Sequence, residues 1–338
     1  MIKSILVTGK SGQLGQSLQK IANNGHPQPS CHPEQSEGSP ADNFSLTFVG
    51  RDQLDLANPK SIADFFKNKH FDAIINCAAY TAVDKAESEP ELADQINHLA
   101  VKQLADLAKA HNIFLVHIST DYVFDGTNYK PYVETDKTNP INIYGLTKLK
   151  GEQAIQASGC TGTIIRTSWV YSEFGNNFVK TMLRLGKERD SLNVIFDQVG
   201  SPTYAIDLAN AIFSLLRHPV QSLCHPETKN SAPEGVSRER SEGSPTSNEI
   251  AGKPNNNTVQ IYHYANEGVC SWYDFAKTIF ELSEINCQVN PIETKDYPTP
   301  AKRPHYSVMN KAKIKQIPGL AVPYWKDSLK EMLENWWK

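Results

Sequence analysis

Long apolar runs are missing from this 338-residue chain. Nothing approaches the roughly 18 consecutive apolar residues of a membrane helix, so a helical membrane protein is not expected. Cysteine is sparse and ungrouped. The six residues, Cys31, Cys77, Cys160, Cys224, Cys270 and Cys287, form no Cys-x-x-Cys. That argues against a zinc ribbon or a disulfide framework and suits a reducing cytoplasm. No charge of one sign dominates: 34 Lys and Arg stand against 37 Asp and Glu, for a net charge of −3. An electrostatic footprint for nucleic acid or an anionic membrane is therefore absent. A cleavable signal pattern is lacking too, because Met1-Ile2-Lys3-Ser4-Ile5-Leu6-Val7 runs straight into a strand. The expectation is a globular cytoplasmic protein, long enough for two modest domains.

What is present is alternation. The β-rich runs "SILVTG", "LTFVG", "FDAIINCAA", "IFLVHIST" and "GTIIRTSWV" are separated by helical patterns. One of these is "ELADQINHLAVKQLADLAKAHN", in which Leu92, Ile96, Leu99, Leu104 and Leu107 recur at near-helical spacing. Strands and helices alternating at this length predict an α/β fold: a parallel sheet with helices on both faces. After about residue 170 the pattern loosens into a second, smaller region with helices in "NNFVKTMLRLGKE", "AIDLANAIFSLLRH" and "SWYDFAKTIFELSE".

Two stretches stand outside this pattern. Residues 31–40 and 224–245 share the opening Cys-His-Pro-Glu and the ending Ser-Glu-Gly-Ser-Pro. They are short, polar and rich in Pro, Gly and Ser, which predicts flexible surface insertions over about 27–42 and about 222–256. One Cys and one His per copy, with no fixed geometry between copies, do not make a metal site, and none is expected.

"VTGKSGQLG" places Gly9, Gly12 and Gly15 after the first strand and at the start of a helix. The first glycine permits a tight turn, the second lets a pyrophosphate approach the backbone, and the third allows close helix–strand packing. The residue that reads the cofactor ribose is expected about 20 positions later. Asp52 lies well beyond that distance, but discounting the insertion, roughly His26 to Asn43, restores the spacing. The second strand then ends at Gly50-Arg51-Asp52. An acidic residue there suits NAD and a nearby arginine suits a 2′-phosphate, so Arg51 tips the expectation from NADH towards NADPH.

Tyr144 and Lys148 lie four apart, on one face of a helix. Spacing alone leaves open whether they are catalytic or merely solvated. The wider constellation decides the reading. The glycine motif, "NCAAYTAVDKAE" (76–87), "STDYVF" (119–124), "YGLTK" (144–148), "RTSWVY" (166–171), "GNNF" (175–178) and "TPAKRP" (299–304) occur in that order. In these motifs the chain resembles the dTDP-4-dehydrorhamnose reductase family of the extended short-chain dehydrogenase/reductases.

The resemblance implies a Rossmann-type doubly wound domain over 1–168, with the helix at about 205–218 packing back on it. Residues 169–338 would form a smaller α/β substrate-binding region. It further implies NADPH- or NADH-dependent reduction of the 4-keto group of dTDP-4-dehydro-L-rhamnose to dTDP-L-rhamnose. Tyr144 would donate the proton. Lys148 would lower the Tyr144 pKa and reach the nicotinamide ribose, and Thr120 would orient the substrate oxygen. Gly12, Gln13 and Leu14 would line the pyrophosphate, Asp55 and Leu56 would flank the adenine, and Ala79, Tyr80 and Thr81 would bracket the cofactor. Asp121 and Trp169 would meet the sugar and Arg303 the diphosphate. Some relatives use Mg²⁺, but no carboxylate cluster here supports one. The expected state is a monomer or a homodimer. Related dehydratases carry Thr-Asp-Glu where this chain has Thr120-Asp121-Tyr122, which argues for simple reduction. Two alternatives stay open: a reductase of another dTDP-4-keto-6-deoxy sugar, and a non-catalytic regulatory subunit of the methionine adenosyltransferase type.

Overall fold

Strand β1 (Ser4–Thr8) is buried on both sides, with Ile5, Leu6 and Val7 fully excluded from solvent. An apolar run without alternation is what a central strand of a parallel sheet requires. In the computed structural model, which describes residues 2–23, 44–218 and 259–337, β1 is such a strand. The insertions expected at about 27–42 and about 222–256 lie outside the described residues.

From β1 the chain runs through α1 (Gln13–Asn23), β2 (Ser45–Val49), α2 (Pro59–Phe66), β3 (Ala73–Asn76) and the short α3 (Val83–Ala86) and α4 (Pro90–Asp94). It continues through α5 (Ala100–Ala110), β4 (Phe114–Thr120), α6 (Ile143–Ser158) and β5 (Gly162–Thr167). Then come β6 (Val170–Tyr171), α7 (Phe178–Glu188), β7 (Ser191–Ile195), β8 (Val199–Gly200), β9 (Thr203–Tyr204) and α8 (Ala205–Arg217). The last elements are β10 (Val259–His263), β11 (Cys270–Ser271), α9 (Trp272–Leu282), β12 (Gln288–Ile292) and α10 (Trp325–Trp337).

Six parallel strands form the main sheet in the order β10-β5-β4-β3-β1-β2. This is the doubly wound α/β architecture. Ile5 and Val7 face one layer, where Leu14 and Leu18 of α1 meet Leu208 and Ile212 of α8. Leu6 faces the other, with Ile62 and Phe66 of α2, Leu104 of α5 and Ile155 of α6. Helix α8 thus covers the first sheet although it lies in the second half of the sequence. The strand order reverses between β1 and β3, and that switch point opens a crevice at the carboxyl ends of the strands.

The second region is built differently. Its strands pair only two by two, β6 with β9, β7 with β12 and β8 with β11. Its core is Tyr171, Met182, Phe275, Trp325 and Met332, set between α7, α9 and α10. Phe275 meets Trp325 edge-on at 5.7 Å between centroids. Helix α9 begins with a capping box, Ser271 and Asp274 each bonding the other's backbone.

One helical expectation shifts. Leu92 and Leu99 are 37% and 44% exposed, not part of a buried stripe. Between α4 and α5 lies a single π-helical turn, Gln95–Leu99. Its wider pitch rotates the face, so the buried Asn97 points inward where the α-helical period had placed leucine.

Candidate active site

The chain leaves β1 at Thr8 and turns at Gly9, whose φ of +71° is left-handed. A Cβ at Gly9 would lie 2.9 Å from the Ala78 nitrogen, and one at Gly15 would overlap the Gly9 carbonyl. The Gly12 amide donates to that same carbonyl at 2.9 Å. The three glycines therefore let α1 start hard against the strand, with its N-terminus facing the crevice. The result is a cradle of bare backbone suited to a pyrophosphate.

A cavity of about 840 Å³ occupies the crevice. Its walls include Gly9, Gly12, Gln13, Leu14, Gly15, Arg51, Asp55, Leu56, Ala79, Tyr80, Thr81, Thr120, Asp121, Tyr144, Lys148 and Trp169. Arg303 is the exception among the expected site residues and does not line it. Its guanidinium grips Asp84 through two bonds, Nη1 to Oδ1 at 3.0 Å and Nη2 to Oδ2 at 2.8 Å. Gln13 is at the wall, but its amide works as a strut between the two regions. It donates to the Val170 carbonyl at 3.2 Å and accepts from Asn177 at 2.9 Å. Arg51 is open to solvent and pairs with Asp55 at 3.3 Å.

At the far end, α6 is held close to β4. Asn142 caps it, accepting from the Gly145 amide at 2.7 Å and donating to the Lys302 carbonyl at 2.7 Å. A side chain at Gly145 would strike the Tyr122 carbonyl, and one at Gly151 the Asn97 carbonyl. This close approach brings Tyr144 and Thr120 to the same cavity wall, where the threonine hydroxyl acts to lower the phenol's pKa. The Tyr122 ring meets Tyr144 edge-on at 5.8 Å. Thr120 donates to Asp121 Oδ1 at 2.9 Å and accepts from the Tyr122 amide at 3.1 Å. Asp121 Oδ2 is buried without a protein partner among the described residues.

Burial pushes Tyr144 up to about 12, with the Thr120 hydroxyl opposing it and the Asp121 charge adding to it. The lowering of the tyrosine by Lys148 is not seen. The lysine is turned away from the phenol, donating to the Ile118 carbonyl at 2.5 Å and lying 3.2 Å from His117 Nε2. Burial brings Lys148 itself down to about 8. Tyr144 is thus held as the protonated phenol at neutral pH, the form a proton donor needs. Burial likewise raises Asp121 to about 7, against hydrogen bonds that favour its charge.

Several site residues escaped the sequence reading. Asn97 accepts from the Tyr80 amide at 2.9 Å and donates to the Tyr80 carbonyl at 3.0 Å and to Thr147 at 3.2 Å. It thereby pins the Ala79–Thr81 loop to α6. The only signal for it was a polar residue inside an apolar helical stripe. Trp272 lines the cavity and stacks on Trp169 at 3.6 Å between centroids, 11° from parallel. Trp169 itself adopts φ +49°, an unusual backbone for a bulky residue. No spacing in the sequence connects two tryptophans so far apart. Among the described residues no group of His, Cys, Asp and Glu could hold a metal ion, and no helix is long and apolar enough to cross a membrane.

A glycine cradle at a sheet switch point, with a Tyr-x-x-x-Lys pair and a threonine on the adjoining strand, defines a dinucleotide-dependent oxidoreductase. Comparison with known proteins narrows the class. The family described as RmlD substrate binding domain matches residues 3–231 and 246–337, breaking only inside the second repeated stretch, and the chain belongs to that family. It is 38% identical to the dTDP-4-dehydrorhamnose reductase of Escherichia coli (strain K12), over 98% of this chain and 97% of that one. It is 33% identical to the spore coat polysaccharide biosynthesis protein SpsK of Bacillus subtilis (strain 168), over 98% and 97%. Among solved structures, a dTDP-4-dehydrorhamnose reductase from Clostridium acetobutylicum superposes with a TM-score of 0.80 at 36% identity, covering 99% of this chain and all of that one. A second, from Bacillus anthracis in complex with NADP, gives a TM-score of 0.77 at 32% identity, covering 99% of this chain and 100% of that one.

Proposed function

We propose that this chain reduces the 4-keto group of dTDP-4-dehydro-L-rhamnose to dTDP-L-rhamnose, with NADPH preferred. The observation that carries the reading is the meeting of the glycine cradle and the Thr120–Tyr144–Lys148 group in one cavity. The cofactor fits the residues present: only glycines leave room at the cradle, and Arg51, held only by an exposed pair with Asp55, lines the cavity beyond the end of β2. The full-length reductases similar to this chain, one of them solved with NADP, support the same reading.

The cofactor supplies hydride; the chain supplies everything else. Thr120, fixed at the end of β4, presents its oxygen beside the phenol and so marks where the substrate oxygen settles. Tyr144, protonated at neutral pH, gives its proton to that oxygen as it becomes an alcohol. Lys148 lines the same cavity and would reach the nicotinamide ribose; it would act on the phenol only by turning from His117 and the Ile118 carbonyl. The Trp169–Trp272 stack walls the sugar end, and apolar walls keep bulk water from competing for the proton. Ala79, Tyr80 and Thr81 are held by Asn97 and flank the bound cofactor. Asp55 and Leu56 serve the adenine. Arg303, clamped by Asp84, would reach the diphosphate only by leaving that partner. The intact proton donor favours an enzyme over a regulatory subunit of the same fold.

The direct test is turnover. Nicotinamide absorbance at constant enzyme should fall on adding enzymatically prepared dTDP-4-dehydro-L-rhamnose, faster with NADPH than with NADH. Other dTDP-4-keto-6-deoxy sugars serve as competitors. No oxidation of either cofactor with any of these sugars would sink the reading and favour the regulatory alternative.

A further inference from the structure

Lys148 is a buried cation, 2% exposed, and what holds it is a file of polar side chains running across three strands of the sheet. Thr8 at the end of β1 bonds Asn76 at the end of β3 at 2.7 Å. The other end of the Asn76 amide faces His117 Nδ1 on β4 at 3.0 Å. His117 Nε2 faces the Lys148 ammonium at 3.2 Å. All four residues are nearly or wholly buried. A neutral imidazole has one donor and one acceptor, whereas an ammonium has donors only. Burial and the nearby lysine charge hold His117 well below its usual value, so the ring is neutral.

We propose that His117 is a positioning residue for the catalytic lysine: its Nε2 accepts from Lys148, its Nδ1 carries the ring proton, and Asn76 fixes that tautomer. This requires the Asn76 amide oxygen, not its nitrogen, to face the ring. Amide oxygen and nitrogen are nearly isosteric, so the file accommodates either orientation without moving a heavy atom. With the oxygen on the ring, the amide nitrogen donates to Thr8 Oγ1, which also accepts from the Ala78 amide at 3.2 Å. The reverse orientation would set an Nε2–H against the ammonium, two donors facing each other in a dry site. The file thus aims Lys148 and favours its charged form. The other groups that act on the lysine are Cys77 beyond β3 and Glu152 on α6, the latter already bound to Arg166 at 2.7 Å. The nearby Ile118 carbonyl is its second acceptor.

The inference rests on the reductase reading for its consequence in catalysis, but its test does not. The first measurement is ¹⁵N NMR of the imidazoles in the unaltered full chain, with His117 assigned by the signal lost in His117→Gln. A protonated Nδ1 is expected; a protonated Nε2 at pH 7 overturns the proposal. The second follows Lys148 in protein labelled at lysine Cε, without cofactor or substrate. Leucine in place of His117 removes one acceptor, so the lysine should titrate about one pH unit lower. Glutamine, whose amide oxygen can accept in place of Nε2, should restore most of that difference. If both variants titrate as the parent does, His117 is only packing and the proposal fails. Should turnover be measurable, kcat in the leucine variant should begin its alkaline decline at correspondingly lower pH. An absent turnover alongside the expected NMR result would count against the reductase reading alone.

Discussion

The two halves of the molecule solve the same problem, holding a ligand, by opposite means. In the first, six parallel strands converge on a cradle whose key contacts are backbone, and the residues that matter are those with the least side chain: Gly9, Gly12 and Gly15. In the second, short strands of two to five residues are packed with large aromatics, and Trp169 and Trp272, far apart in sequence, stack into a wall. A backbone site is set by the fold and serves any dinucleotide. A side-chain wall is cheap to alter and, on the proposed reading, would be fitted to one sugar. The proposed catalytic group sits at the seam, where α6 is drawn onto β4 and Gln13 reaches across to Val170 and Asn177.

If that division holds, the seam should be the most sensitive place. Tyr144→Phe removes the proton donor from the first half while leaving both binding surfaces intact. It should lower kcat by about 10²–10⁴ with cofactor affinity little changed. Steady-state kinetics and a cofactor titration check this, and wild-type turnover by the phenylalanine variant would refute the assigned chemistry.

Asp121, also at the seam, should reveal a conflict between site and stability. Its folded pKa of about 7 lies above the unfolded value near 4. The folded state therefore holds the proton more tightly, and stability is lost as pH rises from about 4 through about 7. Asp121→Asn abolishes this loss. At pH 7.5 it should gain roughly 1–3 kcal/mol over the parent in denaturant unfolding, and much less at pH 4.5. Equal gain at both pH values would mean that the carboxylate is not the strained group.

Trp169→Ala tests the side-chain half alone. Losing the 3.6 Å stack on Trp272 should raise the sugar KM by about tenfold or more while shifting the cofactor KM less than about twofold. Loss of both together would show that the division between the halves is drawn in the wrong place.

How much of this could be read in the sequence follows the same divide. The sheet was legible because a buried parallel strand must be apolar throughout, as Ile5-Leu6-Val7 and Ala73-Ile74-Ile75 are. The cradle was legible because only glycine survives at Gly9 and Gly15. Tyr144 and Lys148 were visible as a pair, but their meaning came from family resemblance and not from spacing. Asn97 and His117 were missed because each reads locally as an ordinary residue of a helix or strand. Their partners, Tyr80 and Thr147 for one, Asn76 and Lys148 for the other, are distant in sequence. The π-helical turn has no compositional mark, and a one-residue change of pitch is enough to turn Leu99 outward and Asn97 inward. Arg303 was read as a partner of the diphosphate, and nothing near it in sequence announces its pairing with Asp84.

The smallest effect is expected at the cofactor's outer end, where the first half departs from its backbone rule. Arg51 is 75% exposed and its bond to Asp55 is a surface pair, worth about 1 kcal/mol at most, so it can turn towards a phosphate at little cost. Lys10 stands nearby, its ammonium 3.0 Å from the Gln53 amide oxygen and 3.4 Å from Asp52. Two cations beside the end of β2 favour a 2′-phosphate, whereas Asp52 and Asp55 favour bare ribose hydroxyls. Arg51→Ala should therefore weaken NADPH by about five- to tenfold and NADH by less than about twofold, the difference shrinking as salt screens the exposed charges. Calorimetric titration of both cofactors at two ionic strengths reads this directly. Equal weakening of the two would place Arg51 against the adenine instead of the phosphate, and no weakening would leave Lys10 as the residue that distinguishes them.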